Sequence, residues 1–412
     1  MAEAPVSPQA LAGLSDLPVS VLVGGPLAQM QVRPLPPYSP QALALLGAWS
    51  QRLLAMPEVK AHPDMATFAF WCRPAHLQRL AAAFPTQPRR LGRGLALHIA
   101  PANVPVNFAY SLAFGLLAGC ANIVRIPDGF AMHTQILGQA LNAVLAQPEH
   151  AALAAMTRLV SYPSSSAVTP ALSALCHARL IWGGDQTVAR LRAMPTRPRC
   201  VDVAFADRYS LCLLDAQAVL SASEAELGRL ANGFFNDTYL MQQNACSSPH
   251  LILWQGLPAS IGPAQDRFWG RVHDVVSQRY GWMAVHAMDK YTLLCQQAVR
   301  LQVAAPCIQH GNLIYRLPLP TLPEHLSDCR GTHGLFFEHT LDRLEDLLPI
   351  VDDKYQTLCT YGVDNGQTAD QLVSLGFAGI DRVVPVGQAL DIGVVWDGFD
   401  VVATLSRTVA TQ

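Results

Sequence analysis

From Leu95 to Trp182 short apolar runs alternate with helical segments, and that alternation leaves the chain few folds. Leu95–Ala100 reads as a strand, Pro101–Pro105 as a loop and Val106–Ala118 as a buried helix. Ala121–Ile126 is a second strand and His133–Leu145 a second helix. Arg158–Tyr162 is a third strand, followed by the polar turn Pro163–Ser166 and a helix to about His177. Ala178–Trp182 is a fourth strand, ending in Gly183-Gly184-Asp185 before a short helix. Repeated strand–helix–strand units predict a parallel sheet covered by helices on both faces. Right-handed crossovers then place the strand C-termini along one crevice edge.

A second series starts near Tyr209. It comprises strands at 209–215 and 250–254, helices at 223–235 and 265–278, strands at 312–317, 334–338 and 355–361, and a helix at 341–350. A chain of 412 residues exceeds the roughly 250–300 at which a single core stops growing, so more than one lobe is expected. The reading divides the chain into a proline-rich irregular arm (1–40), a nucleotide-binding α/β domain (41–208) that starts with a helix at 41–56, a second α/β domain (209–382) and a tail (383–412). That tail is read as crossing back or joining a subunit contact.

Hydrophobic residues make up 51% and charged residues 14%, which excludes a disordered chain and predicts a large core or subunit interface. The net charge is −2 with no Lys/Arg run, so no nucleic-acid partner is expected. Met1–Asp16 lacks the basic-then-apolar pattern of a secretory signal. Gly94–Val124 carries no charge, but Pro101, Asn103, Pro105 and Asn107 leave its uninterrupted part too short to cross ~30 Å of hydrocarbon, so no membrane span is expected. The ten cysteines include no C-x-x-C pair, so no metal site is expected. Most, such as Cys212, lie in apolar runs and read as small core residues of a protein in reducing cytoplasm.

Four places carry chemistry. Cys246 stands in Gln242-Gln243-Asn244-Ala245-Cys246-Ser247-Ser248-Pro249, among small polar residues at the mouth of a strand. That placement suits a nucleophilic thiol as well as a structural one; Ser247 and Ser248 lie in no G-x-S-x-G elbow. Asn103, between two prolines, is either a helix N-cap or an oxyanion donor. Arg125 and Asp128 end a strand, where they form a surface ion pair or reach the ribose of a bound nucleotide. Gly183-Gly184-Asp185 is either a tight turn or an approach for phosphate at a helix N-terminus.

Together these pieces resemble the LuxC-type acyl reductase family, which includes the long-chain acyl-CoA reductase component of bacterial bioluminescence and belongs to the aldehyde dehydrogenase superfamily. The carrying segments are His98–Pro105, Asn122–Arg125, Gln243–Pro249, Lys354–Thr357 and Asp381-Arg382-Val383…Gly387…Trp396-Asp397-Gly398. The resemblance implies two Rossmann-like parallel-sheet lobes with an active-site crevice between them. It casts Cys246 as the acylated thiol and Asn103, with the Cys246 backbone N–H, as the oxyanion holder. Arg125 becomes a cofactor-ribose contact, Trp182, Gly183 and Gly184 the turn near the cofactor phosphates, and Glu338 the holder of the nicotinamide ribose. Two departures stand out: Val203–Ser210 lacks the glutamate that oxidising relatives use to activate water, and the family's glycine there is Ala206.

The implied reaction is NAD(P)H-dependent reduction of an acyl thioester, carried by coenzyme A or a carrier protein, to an aldehyde. Arg125 favours NADPH through a 2′-phosphate, whereas Asp128 would favour NADH; the reading settles on NADPH. The alternatives are a cysteine acyltransferase or thioesterase without redox chemistry, and a non-catalytic acyl-binding subunit. An acyl-activating or acyl-transfer enzyme is the expected partner, and a homo-oligomer the expected assembly.

Overall fold

The computed structural model describes residues 18–101, 104–127, 131–301 and 306–411. Asn103 and Asp128 lie outside the described residues. The chain divides into two compact units, one running to Ala206 and resuming at Phe399, the other spanning Asp207–Gly398.

The first unit contains β1 (Ser20–Val23), α1 (Pro40–Ala55), α2 (Pro63–Trp71), α3 (Pro74–Ala83), β2 (Arg89–Gly92), β3 (Leu95–Ile99), α4 (Asn107–Leu117), β4 (Ala121–Arg125), α5 (Ala131–Leu145), β5 (Thr157–Ser161), α6 (Val168–Leu175), β6 (Ala178–Trp182), α7 (Asp185–Arg192) and β7 (Val201–Phe205). Its six-stranded sheet has the order β1-β5-β4-β3-β6-β7. All neighbours are parallel except β1, which runs antiparallel to β5. The order reverses between β3 and β6, the switch point at which open α/β sheets bind ligands beyond the strand C-termini.

Two strands of this sheet escape the sequence reading, as does β2 outside it. Ser20–Val23 lies in the arm expected to be irregular; bounded by Pro18 and Gly24, it is too short to stand out from its proline-rich surroundings. Val201–Phe205 buries only Val203 and Phe205 fully, and Asp202 breaks its apolar run.

A directed chain of hydrogen bonds crosses the interior of this unit. Trp182 Nε1 donates to Ser111 Oγ (3.1 Å), and that hydroxyl donates to His98 Nδ1 (2.8 Å). His98 Nε2 donates to Asn122 Oδ1 (3.0 Å), and Asn122 Nδ2 donates to the Cys120 carbonyl (2.7 Å). Burial lowers the His98 pKa to about 4, so the ring is neutral, and the amide oxygen assigns its single proton to Nε2. The chain ties β3, β4, β6 and α4 together at the switch point, with every buried polar atom in it satisfied.

The second unit contains β8 (Tyr209–Asp215), α8 (Ala216–Ser221), α9 (Glu224–Thr238), β9 (Pro249–Gln255), α10 (Pro258–Arg279), α11 (Ala284–Leu301), β10 (Ile308–His310), β11 (Ile314–Pro318), β12 (Leu335–Thr340), β13 (Tyr355–Tyr361), α12 (Asn365–Leu375) and β14 (Arg382–Pro385). Its seven-stranded sheet has the order β10-β11-β12-β9-β8-β13-β14, parallel throughout except for the edge pair β10 and β11. β8 and β9 are buried along nearly their whole length, as strands covered on both faces must be. A Ser223–Glu226 capping box starts α9.

The helix expected at 341–350 is only a 3-10 turn at Leu344–Leu347, with Pro349 close behind. Helix α11 was not foreseen because its polarity is inverted. It buries His286, Lys290, Leu294 and Gln297, while Val285, Met288, Tyr291 and Val299 are exposed. Lys290 Nζ is accommodated by the carbonyls of Asn312 (2.6 Å) and His333 (3.0 Å). The tail was expected to begin at 383, yet Arg382–Pro385 is a strand of the second sheet. After Phe399 the chain rejoins the first unit, where β15 (Ser406–Val409) pairs antiparallel with β2.

Gly115, inside α4, tests the buried chain. Gly→Ala within a helix ordinarily stabilises by about 1 kcal/mol. Here the added methyl would overlap Asn122 Oδ1 and crowd His98 Cε1. Gly115→Ala is therefore expected to destabilise by about 2 kcal/mol in urea unfolding; a stabilised variant would contradict the packing described.

Candidate active site

Cys246 lies in the loop that enters β9, at the amino end of the second sheet. Because β8, β9, β12, β13 and β14 run parallel, the loops that enter them come to the same edge. Those loops supply Asp207 and Arg208 before β8, Arg330–Gly334 before β12, Lys354 before β13 and Asp381 before β14. Sequence segments more than a hundred residues apart thereby become one neighbourhood.

Hydrogen bonds fix the loop. Ser210 Oγ donates to the Cys246 carbonyl (2.7 Å), and the same hydroxyl accepts from the Thr357 N–H (3.2 Å). Gln243 is buried; its Oε1 accepts from the Gly334 N–H (2.8 Å) and its Nε2 donates to the Leu335 carbonyl (3.1 Å). Thr332 Oγ1 donates to the Gln242 carbonyl (3.2 Å), and Ser248 Oγ to the Asp237 carbonyl (2.7 Å). Of the six described non-glycine residues with left-handed φ, five are at this edge: Gln242, Gln243, His333, Ile380 and Asp397. Such strain persists only where surrounding structure over-determines it, and it clusters at functional sites.

A charged network lies at this edge, and Asp397, Asp207 and Arg330 of it act on the thiol. Arg208 Nη2 binds Asp381 Oδ2 at 2.7 Å, its Nη1 donates to the Asp353 carbonyl, and its Nε stands 3.7 Å from Asp397 Oδ2. Gln356 Nε2 donates to Asp397 Oδ1. Arg330 Nη2 binds Asp207 Oδ2 and the Arg208 carbonyl, both at 2.9 Å. Arg382 lies over the Trp396 ring (4.3 Å) and donates to the Ala389 carbonyl (3.1 Å). A side chain at Gly398, where φ is +72°, would come within 3.0 Å of Asp381 Oδ1. Asp237 accepts from the N–H groups of Gly387 (2.6 Å) and Ala389 (2.9 Å). Burial raises its carboxyl to about 7 against the pull of those two N–H groups.

Cys246 itself is half-buried. Burial, then the negative charge of Asp397, pushes its thiol up to about 11, although its own backbone N–H and Arg330 act in the opposite sense. The resting group is a thiol, in surroundings more acidic than those of most reactive cysteines. His250, four residues on, does not serve as its base. Burial and Arg330 lower its pKa to about 3, and its Nδ1 already accepts from the Gly331 N–H (3.1 Å).

The other expected site residues divide. Arg125 ends β4 with Nη2 donating to the Tyr162 carbonyl (3.3 Å), while its buried Nε has no partner among the described residues. An unmatched guanidinium N–H at the C-terminal end of a switch-point sheet fits a ribose hydroxyl or a phosphate oxygen. Gly184 caps α7, and a Cβ there would meet nothing within 4 Å, so the approach is open. Asp185 in the first turn of α7 already complements the helix dipole and would repel a phosphate close to it.

Trp182 faces inward, stacked on Phe205 at 3.9 Å with its N–H held by Ser111. It shapes the turn rather than presenting a group to a ligand. Glu338 is also committed elsewhere. Its Oε1 accepts from Trp254 Nε1 (2.8 Å) and Trp269 Nε1 (2.7 Å), and its Oε2 binds Arg316 Nε (2.7 Å), both charged side chains being buried. The carboxylate expected to hold a ribose thus anchors the core, with both oxygens engaged by buried donors. Sequence reasoning gave no role to Asp207, Arg208, Ser210, Arg330 or Gln356; all but Arg330 stand in segments it singled out, but their partners come from loops distant in sequence.

Residues 70–259 match the family model described as acyl-CoA reductase (LuxC). No curated protein matches the chain. Among solved structures, a proline utilization A mutant from Bradyrhizobium japonicum is similar, with 14% identity and a TM-score of 0.60. The match covers 99% of this chain but 45% of that one. A putative aldehyde dehydrogenase from Burkholderia cenocepacia gives 13% identity and a TM-score of 0.58, covering 85% of this chain and 79% of its own. PnpE from Pseudomonas sp. WBC-3 gives 12% and 0.58, covering 84% and 77%. At these identities the likeness is one of fold. The family resemblance and the aldehyde dehydrogenase-like α/β fold are thereby borne out.

The environment of Cys246 predicts its reactivity. Alkylation by iodoacetamide, followed at that cysteine by peptide mapping, should accelerate by about tenfold per pH unit from pH 7 to 10. Asp397→Asn removes the charge that raises the thiol, so it should react faster at pH 8. A rate that levels off below pH 8, or a slower Asp397→Asn variant, would contradict the electrostatics.

Proposed function

With residues 70–259 matching the LuxC acyl-CoA reductase family on an aldehyde dehydrogenase fold, we propose that the chain reduces an acyl thioester to an aldehyde through an acyl group carried on Cys246. The observation that carries this reading is the Cys246 loop. It is strained, multiply anchored, and set where the parallel strands of the second sheet begin. The alternative of a packing cysteine gives no reason for that strain.

In the proposed sequence the Cys246 sulfur attacks the thioester carbonyl, loses its proton, and expels the carrier thiol, which takes a proton. Splitting the reaction at a covalent intermediate replaces one hard step with two easier ones. The Cys246 N–H, directed at the sulfur, is suited to the developing oxyanion, and Asn103 keeps the donor role implied by the resemblance. NADPH, when bound, supplies a hydride to the acyl carbon. Collapse of the resulting thiohemiacetal breaks the C–S bond, releases aldehyde, and returns a proton to the sulfur. A sulfur whose pKa is about 11 leaves best as the thiol, so that proton must arrive with the departure.

Reduction rather than hydrolysis is supported by Val203–Ser210, which holds no glutamate. The acid in that segment, Asp207, is paired with Arg330. Arg125 supports NADPH over NADH, with Gly183 and Gly184 lining the phosphate side and Asp128 opposing. The substrate carrier is proposed to be coenzyme A or an acyl-carrier protein, supplied by an acyl-activating or acyl-transfer enzyme. A homo-oligomer in a reducing cytoplasm completes the proposal. Among the described residues no helix is long and apolar enough to cross a membrane.

Absorbance of the nicotinamide, followed with acyl-CoA as substrate, tests the reading. The wild type should oxidise NADPH with a lower KM than NADH, and Cys246→Ala should abolish the signal while still binding cofactor. Turnover by Cys246→Ala, or free acid as the product, would favour another chemistry.

A further inference from the structure

Cys176 and Cys200 lie in the first unit, at the amino ends of β6 and β7, away from any role in the chemistry above. Their sulfurs are 3.8 Å apart, in van der Waals contact. Cys176 is buried and Cys200 half-buried. The strands they precede are adjacent and parallel, with Ala178 opposite Val201, and the Val201 N–H bonds the His177 carbonyl (3.2 Å). Neighbouring strands are about 4.8 Å apart, close to the Cα separation that a disulfide spans.

From this geometry we propose that Cys176 and Cys200 form a reversible intramolecular disulfide, a redox modification site at the amino end of β6 and β7. Side-chain rotation must close the sulfurs from contact to about 2.05 Å. The surroundings assign the roles. A hydrogen bond from Cys176 lowers the Cys200 pKa against burial and the charge of Asp202, and Arg179, held by Asp202 at 2.6 and 2.7 Å, acts in the lowering sense. Cys176 is shifted the other way by that hydrogen bond and by burial. Cys200, the more acidic and more accessible thiol, reacts first, and Cys176 resolves.

The oxidant is a low-molecular-weight disulfide. With oxidised glutathione, the Cys200 thiolate attacks one sulfur, the glutathione S–S bond breaks, and one glutathione thiolate leaves. Cys176 then gives up its proton and attacks Cys200 Sγ, expelling the second glutathione as a thiol. Two protein thiols are oxidised to one disulfide and one glutathione disulfide is reduced to two thiols. The cross-link closes a loop containing β6, the Trp182–Gly184 turn and α7, and should raise the unfolding temperature by constraining the unfolded chain.

The full-length protein, incubated with oxidised glutathione at pH 8 and digested without reductant, tests this. The expected product is a Cys176–Cys200 linked peptide carrying no glutathione, with a higher Tm that dithiothreitol reverses. Exposed Cys295 serves as the internal comparison and should keep a glutathione adduct. Cys200→Ser should abolish the linked peptide and leave Cys176 unmodified. Stable glutathione on Cys200 beside a free Cys176 would overturn the proposal, as would two free thiols at these positions once Cys295 has reacted.

Discussion

Parallel pairing of β8, β9, β12, β13 and β14 is the constraint on which the site depends. An antiparallel arrangement would send alternate loops to opposite edges. Parallel strands instead bring five amino ends to one edge, and with them Arg208, Cys246, Arg330, Lys354 and Asp381. Ligands of doubly wound sheets usually bind at strand C-termini. In the first unit, Arg125 at the end of β4 and Gly183-Gly184 after β6 stand at that edge, where the proposed cofactor would bind. In the second unit Cys246 stands at the opposite edge, among the loops that enter the strands.

Much of this was legible in the sequence. Strands buried on both faces are continuous apolar runs, and the boundaries of β6, β8 and β13 coincide with those read from the residues. Where the environment is mixed the reading failed: β7 carries Asp202 in an edge strand, and α11 turns His286, Lys290 and Gln297 inward. A buried lysine between two carbonyls has no signature in periodicity.

The segments that carried the family resemblance have distinct physical meanings. His98, Asn122 and Trp182 belong to one directed chain of hydrogen bonds that sets the switch point. Gln356, Asp381, Asp397 and Gly398 belong to the network around Arg208, and Gly387 to the Asp237 clamp. Motif residues therefore include those that build the surroundings of Cys246, as Gln243 and Thr357 do, as well as Cys246 itself. Glu338 shows the opposite case: a strand glutamate suited by position to a cofactor is consumed by two tryptophans and an arginine distant in sequence.

Burial and Asp397 push the Cys246 thiol up to about 11, so in the proposed reaction its proton has to leave before or as the sulfur attacks. Intact-mass analysis after incubation with acyl-CoAs of graded length, followed by addition of NADPH, addresses that reaction most directly. The account predicts an acyl adduct that maps to Cys246 and disappears on NADPH addition with release of aldehyde. An adduct on another residue, or one lost to free acid without NADPH, would contradict it.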